Sequence, residues 1–146
     1  LTLVKPEDSD KEHEYLLGIE EKLMQALKIP YHVVKMCTGD LGDPAARKYD
    51  IEAWIPSENK YRETHSTSNC TDFQSRRLNI KFKREKTNLK SEIINHKLEY
   101  VHILNGTVFS MNRPIIAILE NYQQADGSIF IPDVLQPYMG GKKKIV

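Results

Sequence analysis

Cysteine is scarce in this chain of 146 residues: Cys37 and Cys70 belong to no CxxC pair, so neither a disulfide framework nor a structural zinc site is encoded. Two unpartnered thiols fit a reducing compartment. Long apolar runs are missing too. No stretch approaches the roughly 20 residues that span a bilayer, and Leu1-Thr2-Leu3-Val4 leads into acidic residues instead of the basic start and apolar middle of a signal peptide. We therefore expect a soluble, cytoplasmic protein with no membrane partner. Charge of one sign does not dominate either. The 21 Lys and Arg against 20 Asp and Glu give a formal net charge of +1, which excludes a whole-chain nucleic-acid coat and leaves only local patches. Repeats and low-complexity tracts are absent. What remains is 40% apolar and 28% charged residues, the balance of an ordinary globular domain or of a piece of a larger one. The first residue is not Met, which reads as the boundary of a longer chain.

Charge is nonetheless unevenly spread. Residues 1–21 carry Glu7, Asp8, Asp10, Glu12, Glu14, Glu20 and Glu21 against Lys5 and Lys11. Residues 76–90 reverse this, with Arg76, Arg77, Lys81, Lys83, Arg84, Lys86 and Lys90 against Glu85 alone, a stretch that suits either a solvated face or contact with RNA.

Element signals follow in order. Ser9-Asp10-Lys11-Glu12 has capping-box spacing, and Tyr15, Leu16, Ile19, Leu23, Ala26 and Leu27 mark one face of a helix that ends before Ile29-Pro30 and packs on a sheet. Strands are predicted at 31–37 and 49–55, with a turn at Pro56-Ser57-Glu58-Asn59. Tyr61 to Asn69 is extended but unusually polar. Leu78, Ile80 and Phe82, then Leu98, Tyr100, His102 and Leu104, alternate as two half-buried antiparallel strands joined by a polar loop at 84–97. Pro114 opens a helix through Tyr122 that is apolar around most of its girth and is expected to be buried, closed by Asp126-Gly127. A short strand at 128–131 precedes a basic tail, Lys142-Lys143-Lys144. The sum is an α+β domain, an antiparallel sheet flanked by helices.

Two segments carry candidate chemistry. Tyr61-Arg62-Glu63-Thr64-His65-Ser66-Thr67-Ser68-Asn69-Cys70 lines up a carboxylate, hydroxyls and an imidazole, as a hard cation with a polar ligand requires, although a plain polar edge strand has the same composition. Asn105 and Thr107 share strand parity and so one face, where an amide and a hydroxyl suit a small polar substrate. Arg113 follows at a helix start, where its fork and the local dipole both attract phosphate oxygens. His65 also reads as a histidine bonded within the sheet, Cys70 as a packing residue, and Trp54 as core or interface.

The run Tyr61 to Arg77 resembles the segment after motif 2 in seryl-tRNA synthetases. Cys37-Thr38-Gly39-Asp40-Leu41-Gly42, Lys48-Tyr49-Asp50-Ile51-Glu52, Leu104-Asn105-Gly106-Thr107, Leu119-Glu120-Asn121-Tyr122-Gln123 and Pro137-Tyr138-Met139-Gly140 resemble the same family in the same order. The resemblance implies a class II catalytic core that joins L-serine to ATP and then esterifies tRNA(Ser), with tRNA(Sec) a further acceptor, in a cytoplasmic homodimer. Carried over by residue, Glu63 and Ser66 match the pair that meets ATP and its Mg2+, and Thr64 and His65 lie between them along the nucleotide. Asn105 and Thr107 match the serine pocket, and Arg113 matches the motif 3 arginine on the terminal phosphate. Glu63 and Arg113 are then the catalytic candidates. Glu63 and Ser66 have opposite parity along a regular strand, so a bulge or twist between Thr64 and His65 is expected if both reach one ion.

Motif 1, the arginine-bearing motif 2 loop, the upstream serine-selecting loop and an N-terminal coiled-coil arm are not found in these residues. The expected organisation is thus the C-terminal part of a class II catalytic domain across 1–146, inactive alone. The competing readings are a synthetase-like binding module without catalysis, and a relative that loads an amino acid onto a carrier protein.

Overall fold

The computed structural model describes residues 1–86 and 95–145. Its elements are β1 (Thr2–Val4), α1 (Ser9–Leu27), β2 (Tyr31–Lys35), β3 (Arg47–Ile55), β4 (Lys60–Asn69), α2 (Phe73–Leu78), β5 (Lys81–Lys86), β6 (Asn95–Tyr100), β7 (His102–Thr107), α3 (Asn112–Tyr122), β8 (Ile129–Phe130) and β9 (Lys144–Ile145). Five strands form one antiparallel sheet in the order β1-β7-β4-β3-β2, while β5 pairs with β6 and β8 with β9. The architecture is the expected α+β one. Period-2 alternation explains its centre: Ile51, Ala53 and Ile55 of β3 point to one face and are buried there with Leu17, Met24 and Leu27 of α1, Ile29, and Ala117 of α3. Each of the large aliphatic side chains in that cluster contributes about 1.5–3 kcal/mol of burial. Helices therefore cover one face of the sheet, and the opposite face of β3, β4 and β7 is left for chemistry.

Several expectations change. The inward stripe of α1 is Ser9, His13, Leu17, Glu20, Met24 and Leu27, and Tyr15 is exposed. Apolar counting picked the wrong face because α1 crosses polar parts of the sheet: His13 Nε2 donates to the Thr67 carbonyl, and Nδ1 accepts from Arg47 Nε at 2.9 Å. The capping box does not form. Asp8 takes the cap position without a side-chain bond, and Ser9 Oγ donates to the Pro6 carbonyl while Asn69 Nδ2 donates to it. Leu78 ends the short helix α2 and is exposed, so no strand begins there.

The run from Leu98 to Leu104 is two strands, broken at the buried Val101: β6 pairs with β5, and β7 enters the main sheet between β1 and β4. Of the predicted polar loop, 84–86 and 95–97 are paired strand and 87–94 lies outside the described residues, as does Lys90. The helix α3 is only half covered. Pro114 and Ala117 are buried, but Ile115 and Ile116 keep 45% of their surface exposed. It ends at Tyr122, and Gly127 instead serves a turn at φ +81°, a conformation that needs glycine. The basic tail is partly strand, since Lys144-Ile145 pairs with β8.

Within the basic stretch, Arg84 is bonded by Glu7 and Glu99, Arg76 pairs with Asp72, and Arg77 and Lys81 lie over Phe73 and Tyr100. Among the described residues no helix is long and apolar enough to cross a membrane.

Candidate active site

The site begins with a bulge. Pairing of β3 with β4 runs Asp50↔Ser66 and Ile51↔His65, then resumes at Glu52↔Glu63, leaving Thr64 as the extra residue. Directly paired residues of an antiparallel ladder share a face. Glu63 and Ser66 therefore stand together on the face of Asp50 and Glu52, opposite the core face of Ile51, even though three positions separate them. The irregularity expected between Thr64 and His65 lies at Thr64. Its hydroxyl donates to the Ile51 carbonyl at 3.1 Å, and His65 Nδ1 meets the same hydroxyl at 2.8 Å, so the bulged backbone is tied from within.

Strand β7 brings the second segment to the same face. Thr107 pairs with Ser66 and Asn105 with Ser68. The chain then turns through residues 108–111 into α3, and Arg113, in its first turn, returns to β4. Its Nη1 donates to the Glu63 carbonyl at 2.9 Å and to Glu63 Oε2 at 3.2 Å. Glu63, Thr64, His65, Ser66, Thr107 and Arg113 line one open cleft of about 580 Å³, with Ser110, Met111 and Asn112 on its rim. A second cleft of about 550 Å³ adjoins it through Glu63 and Arg113 and is walled by Glu52, Tyr61, Arg62 and Ile116. Six of the seven sequence candidates thus converge. Asn105 shares the face, but its amide donates to Cys70 Sγ at 3.5 Å and it is not among the residues lining either cleft.

Electrostatics distinguish the candidates. Glu63 and Arg113 are both substantially exposed, at 41% and 55%, as groups that meet a ligand must be. His65 is 1% exposed, edge-on to Phe109, and burial pushes its imidazole down to about 4, so it is neutral at physiological pH. A neutral, buried imidazole bonded to Thr64 supports the bulge and does not supply charge. Cys70 is buried, and burial raises its thiol, so it is a packing residue. Trp54 packs edge-on against Tyr61, which stacks on His32.

The sequence reading missed Lys48 and Asp50 as neighbours of Glu63. Lys48 Nζ lies 2.9 Å from the Asp50 carboxylate and 3.9 Å from Glu63 Oε1, on the same face as Ser66. The signal was available, since Lys48, Asp50 and Glu52 share strand parity. Asp50, Glu52 and Glu63 thus stand on one face of β3 and β4 beside Lys48, and of these Glu52 and Glu63 line the second cleft with Arg113. That arrangement suits an anionic ligand accompanied by a cation, since an arginine fork matches phosphate oxygens and a carboxylate is a hard ligand for a metal ion.

This geometry has close counterparts. Residues 2–122 match the family described as tRNA synthetase class II core domain (G, H, P, S and T). The chain belongs to that family. The serine–tRNA ligase of Dictyoglomus thermophilum is 57% identical over 138 residues, covering 94% of this chain and 30% of that protein. The serine–tRNA ligase of Halalkalibacterium halodurans is 57% identical over 141 residues, covering 97% of this chain and 31% of its own length. Among solved structures, seryl-tRNA synthetase from Pyrococcus horikoshii complexed with ATP superposes with a TM-score of 0.87 at 50% identity, over 99% of this chain and 30% of that one. The cytoplasmic serine–tRNA ligase of Naegleria fowleri in complex with AMP gives 0.83 at 42% identity, over 98% and 32%. The chain spans about 30% of the length of the curated relatives it matches.

Proposed function

We propose that this chain is the C-terminal part of the catalytic domain of a serine–tRNA ligase, with motif 1, motif 2 and a tRNA-binding arm supplied by the rest of the protein. The observation that carries the reading is the convergence of Glu63, Ser66, Thr107 and Arg113 on one cleft, with Arg113 bonded to Glu63. The similarity to serine–tRNA ligases across 94–97% of the chain supports it.

The reaction joins the serine carboxylate to the α-phosphorus of ATP with release of pyrophosphate, then passes the seryl group to a tRNA hydroxyl. No covalent enzyme intermediate is needed. Negative charge grows on the leaving pyrophosphate, and Arg113 answers it from a fixed position, because β4 and α3 already hold its guanidinium. The bidentate fork suits the terminal phosphate, where release from Glu63 exchanges one oxyanion partner for another. Thr107, on the neighbouring strand, presents its hydroxyl to serine, and Asn105 on the same face, its amide nitrogen turned to Cys70 Sγ, would meet serine through its side-chain oxygen.

The donor set fits Mg2+. Glu63 and Ser66 offer hard oxygens on one face, and among the described residues no group of three or more His, Cys, Asp or Glu forms a protein-only cage. Magnesium is commonly held by one or two carboxylates together with substrate phosphates, and it would supply charge neutralisation here. Thr64 and His65 act beneath the nucleotide by keeping the bulge. A homodimer, cytoplasmic location and acceptance of tRNA(Sec) beside tRNA(Ser) belong to the same reading.

The test is amino-acid-dependent ATP–pyrophosphate exchange on the intact gene product, screened over serine, threonine, alanine and glycine. We expect exchange with serine. A folded, intact protein without exchange would overturn the reading in favour of a synthetase-like binding module.

A further inference from the structure

Beneath the strand that carries Asn105 and Thr107 lies an acid that the proposed chemistry does not use. Glu20 projects from the middle of α1, is 1% exposed, and neither carboxyl oxygen has a hydrogen-bond partner. A group so buried and so unsatisfied is costly, at about 1–3 kcal/mol or more, and calls for a reason. Its neighbours supply one. A Cβ placed on Gly106 would lie 2.9 Å from Glu20 Oε1, and 3.5 Å from Thr67 Oγ1. Gly106 has no positive φ, so backbone conformation does not demand glycine there. Contact bears on it instead: a side chain between Asn105 and Thr107 would meet the carboxyl of Glu20, which would have to give way in a space where it is 1% exposed. Thr67, facing the same side, donates its hydroxyl to the Asn105 carbonyl at 3.0 Å.

We propose that Glu20 is a positioning residue for the substrate pocket: its carboxyl braces the Asn105-Gly106-Thr107 backbone from the core side and sets the depth at which the Asn105 and Thr107 side chains stand on the opposite face. The inference rests on the assignment of Asn105 and Thr107 to serine. Burial, with Asp50 adding to it, pushes the Glu20 carboxyl up to about 7, so this space holds an acid that takes up its proton far more readily than a free carboxylate. A shift of the strand by a fraction of an ångström would then reach serine before it reaches ATP, because Arg113 and Glu63 hang on other elements.

The experiment is a double-mutant cycle on the intact protein, read by serine-dependent pyrophosphate exchange. Gly106→Ala is expected to raise the serine KM about tenfold, with kcat within about threefold and the ATP KM unchanged. In the Glu20→Ala background, which frees the space, the same Gly106→Ala change should cost less than about threefold. That non-additivity is the signature of the contact. Glu20→Gln, which keeps the shape, should leave the serine KM near that of the parent.

An equal cost of Gly106→Ala in both backgrounds, or no cost in either, overturns the proposal. If Gly106→Ala does not fold, Glu20→Ala and Glu20→Gln decide between them: an unchanged serine KM in the alanine variant, or a tenfold rise in the glutamine variant, also overturns it. A parent without serine-dependent exchange instead sinks the function proposed above, so the two failures are distinct.

Discussion

One guanidinium nitrogen of Arg113 holds both the backbone carbonyl and the carboxylate of Glu63, at 2.9 and 3.2 Å. The bond joins two segments 50 residues apart and spans the place where the two clefts meet. An exposed pair of this kind contributes at most about 1 kcal/mol to stability, so its value lies in aiming the arginine.

Replacing that arginine should therefore separate function from folding. For Arg113→Ala in the intact protein we expect kcat/KM for ATP in pyrophosphate exchange to fall about 100-fold, the scale of losing one fixed donor to a developing anion. The melting temperature should stay within about 3 °C of the parent. Equal exchange activity in variant and parent would remove Arg113 from the site.

Glu63 has the opposite partner to answer for. With its charge removed in Glu63→Gln, a cation bound between Glu63 and Ser66 would lose the carboxylate of that pair, while Arg113 keeps the backbone carbonyl as an acceptor. A magnesium titration of exchange activity should need about tenfold more metal. An unshifted titration counts against the metal role of Glu63.

The bulge can be tested through Thr64. Thr64→Val keeps the shape and deletes the hydroxyl that donates to the Ile51 carbonyl and meets His65 Nδ1. Two buried polar atoms lose their partner, a cost of about 1–3 kcal/mol, whereas Thr64→Ser keeps the bond and loses one methyl. Urea midpoints of the two variants measure the difference. A valine variant as stable as the parent would mean that the hydroxyl does not hold the bulge.

How much of this was legible beforehand depends on the range of the interaction. Ile51, Ala53 and Ile55 revealed β3 because alternation is local, and Pro56 to Asn59 revealed the turn because Asn59 tolerates the left-handed φ of 51° it adopts. Glu63, Ser66, Thr107 and Arg113 were legible through the family resemblance, and the parity conflict between Glu63 and Ser66 pointed to the bulge. The inward face of α1 was not legible, because His13 and Glu20 are buried by what lies across from them in β4 and β7, and no local pattern carries that. Lys48 and Asp50 share visible parity with Glu52, but parity alone does not say which strand lies alongside. Their place beside Glu63 follows from the register of β3 on β4. Leu98 to Leu104 misled because one alternating run serves two different sheets, divided at Val101.

Two buried groups should write opposite slopes into the pH dependence of stability. Burial lowers His65 from 6.5 to about 4, so between those values the unfolded chain binds a proton that the folded chain refuses, and stability falls as pH falls through that window. Glu20 is raised from 4.5 to about 7, by burial first and by Asp50 second. The folded state then keeps a proton that the unfolded chain has released, so its contribution is fully present below 4.5 and is lost as pH rises to about 7. Glu20→Gln abolishes that loss. Relative to the parent, the variant should gain stability progressively between pH 4.5 and 7, by at most about 3 kcal/mol, with no further gain above. His65→Gln should instead flatten the acid limb. Melting temperatures of the parent and Glu20→Gln proteins at pH 4.5 and 8 give the comparison. A difference that is the same at both pH values would mean that the Glu20 carboxyl titrates as an ordinary one, and that the space behind Gly106 is wetter than the 1% exposure of Glu20 indicates.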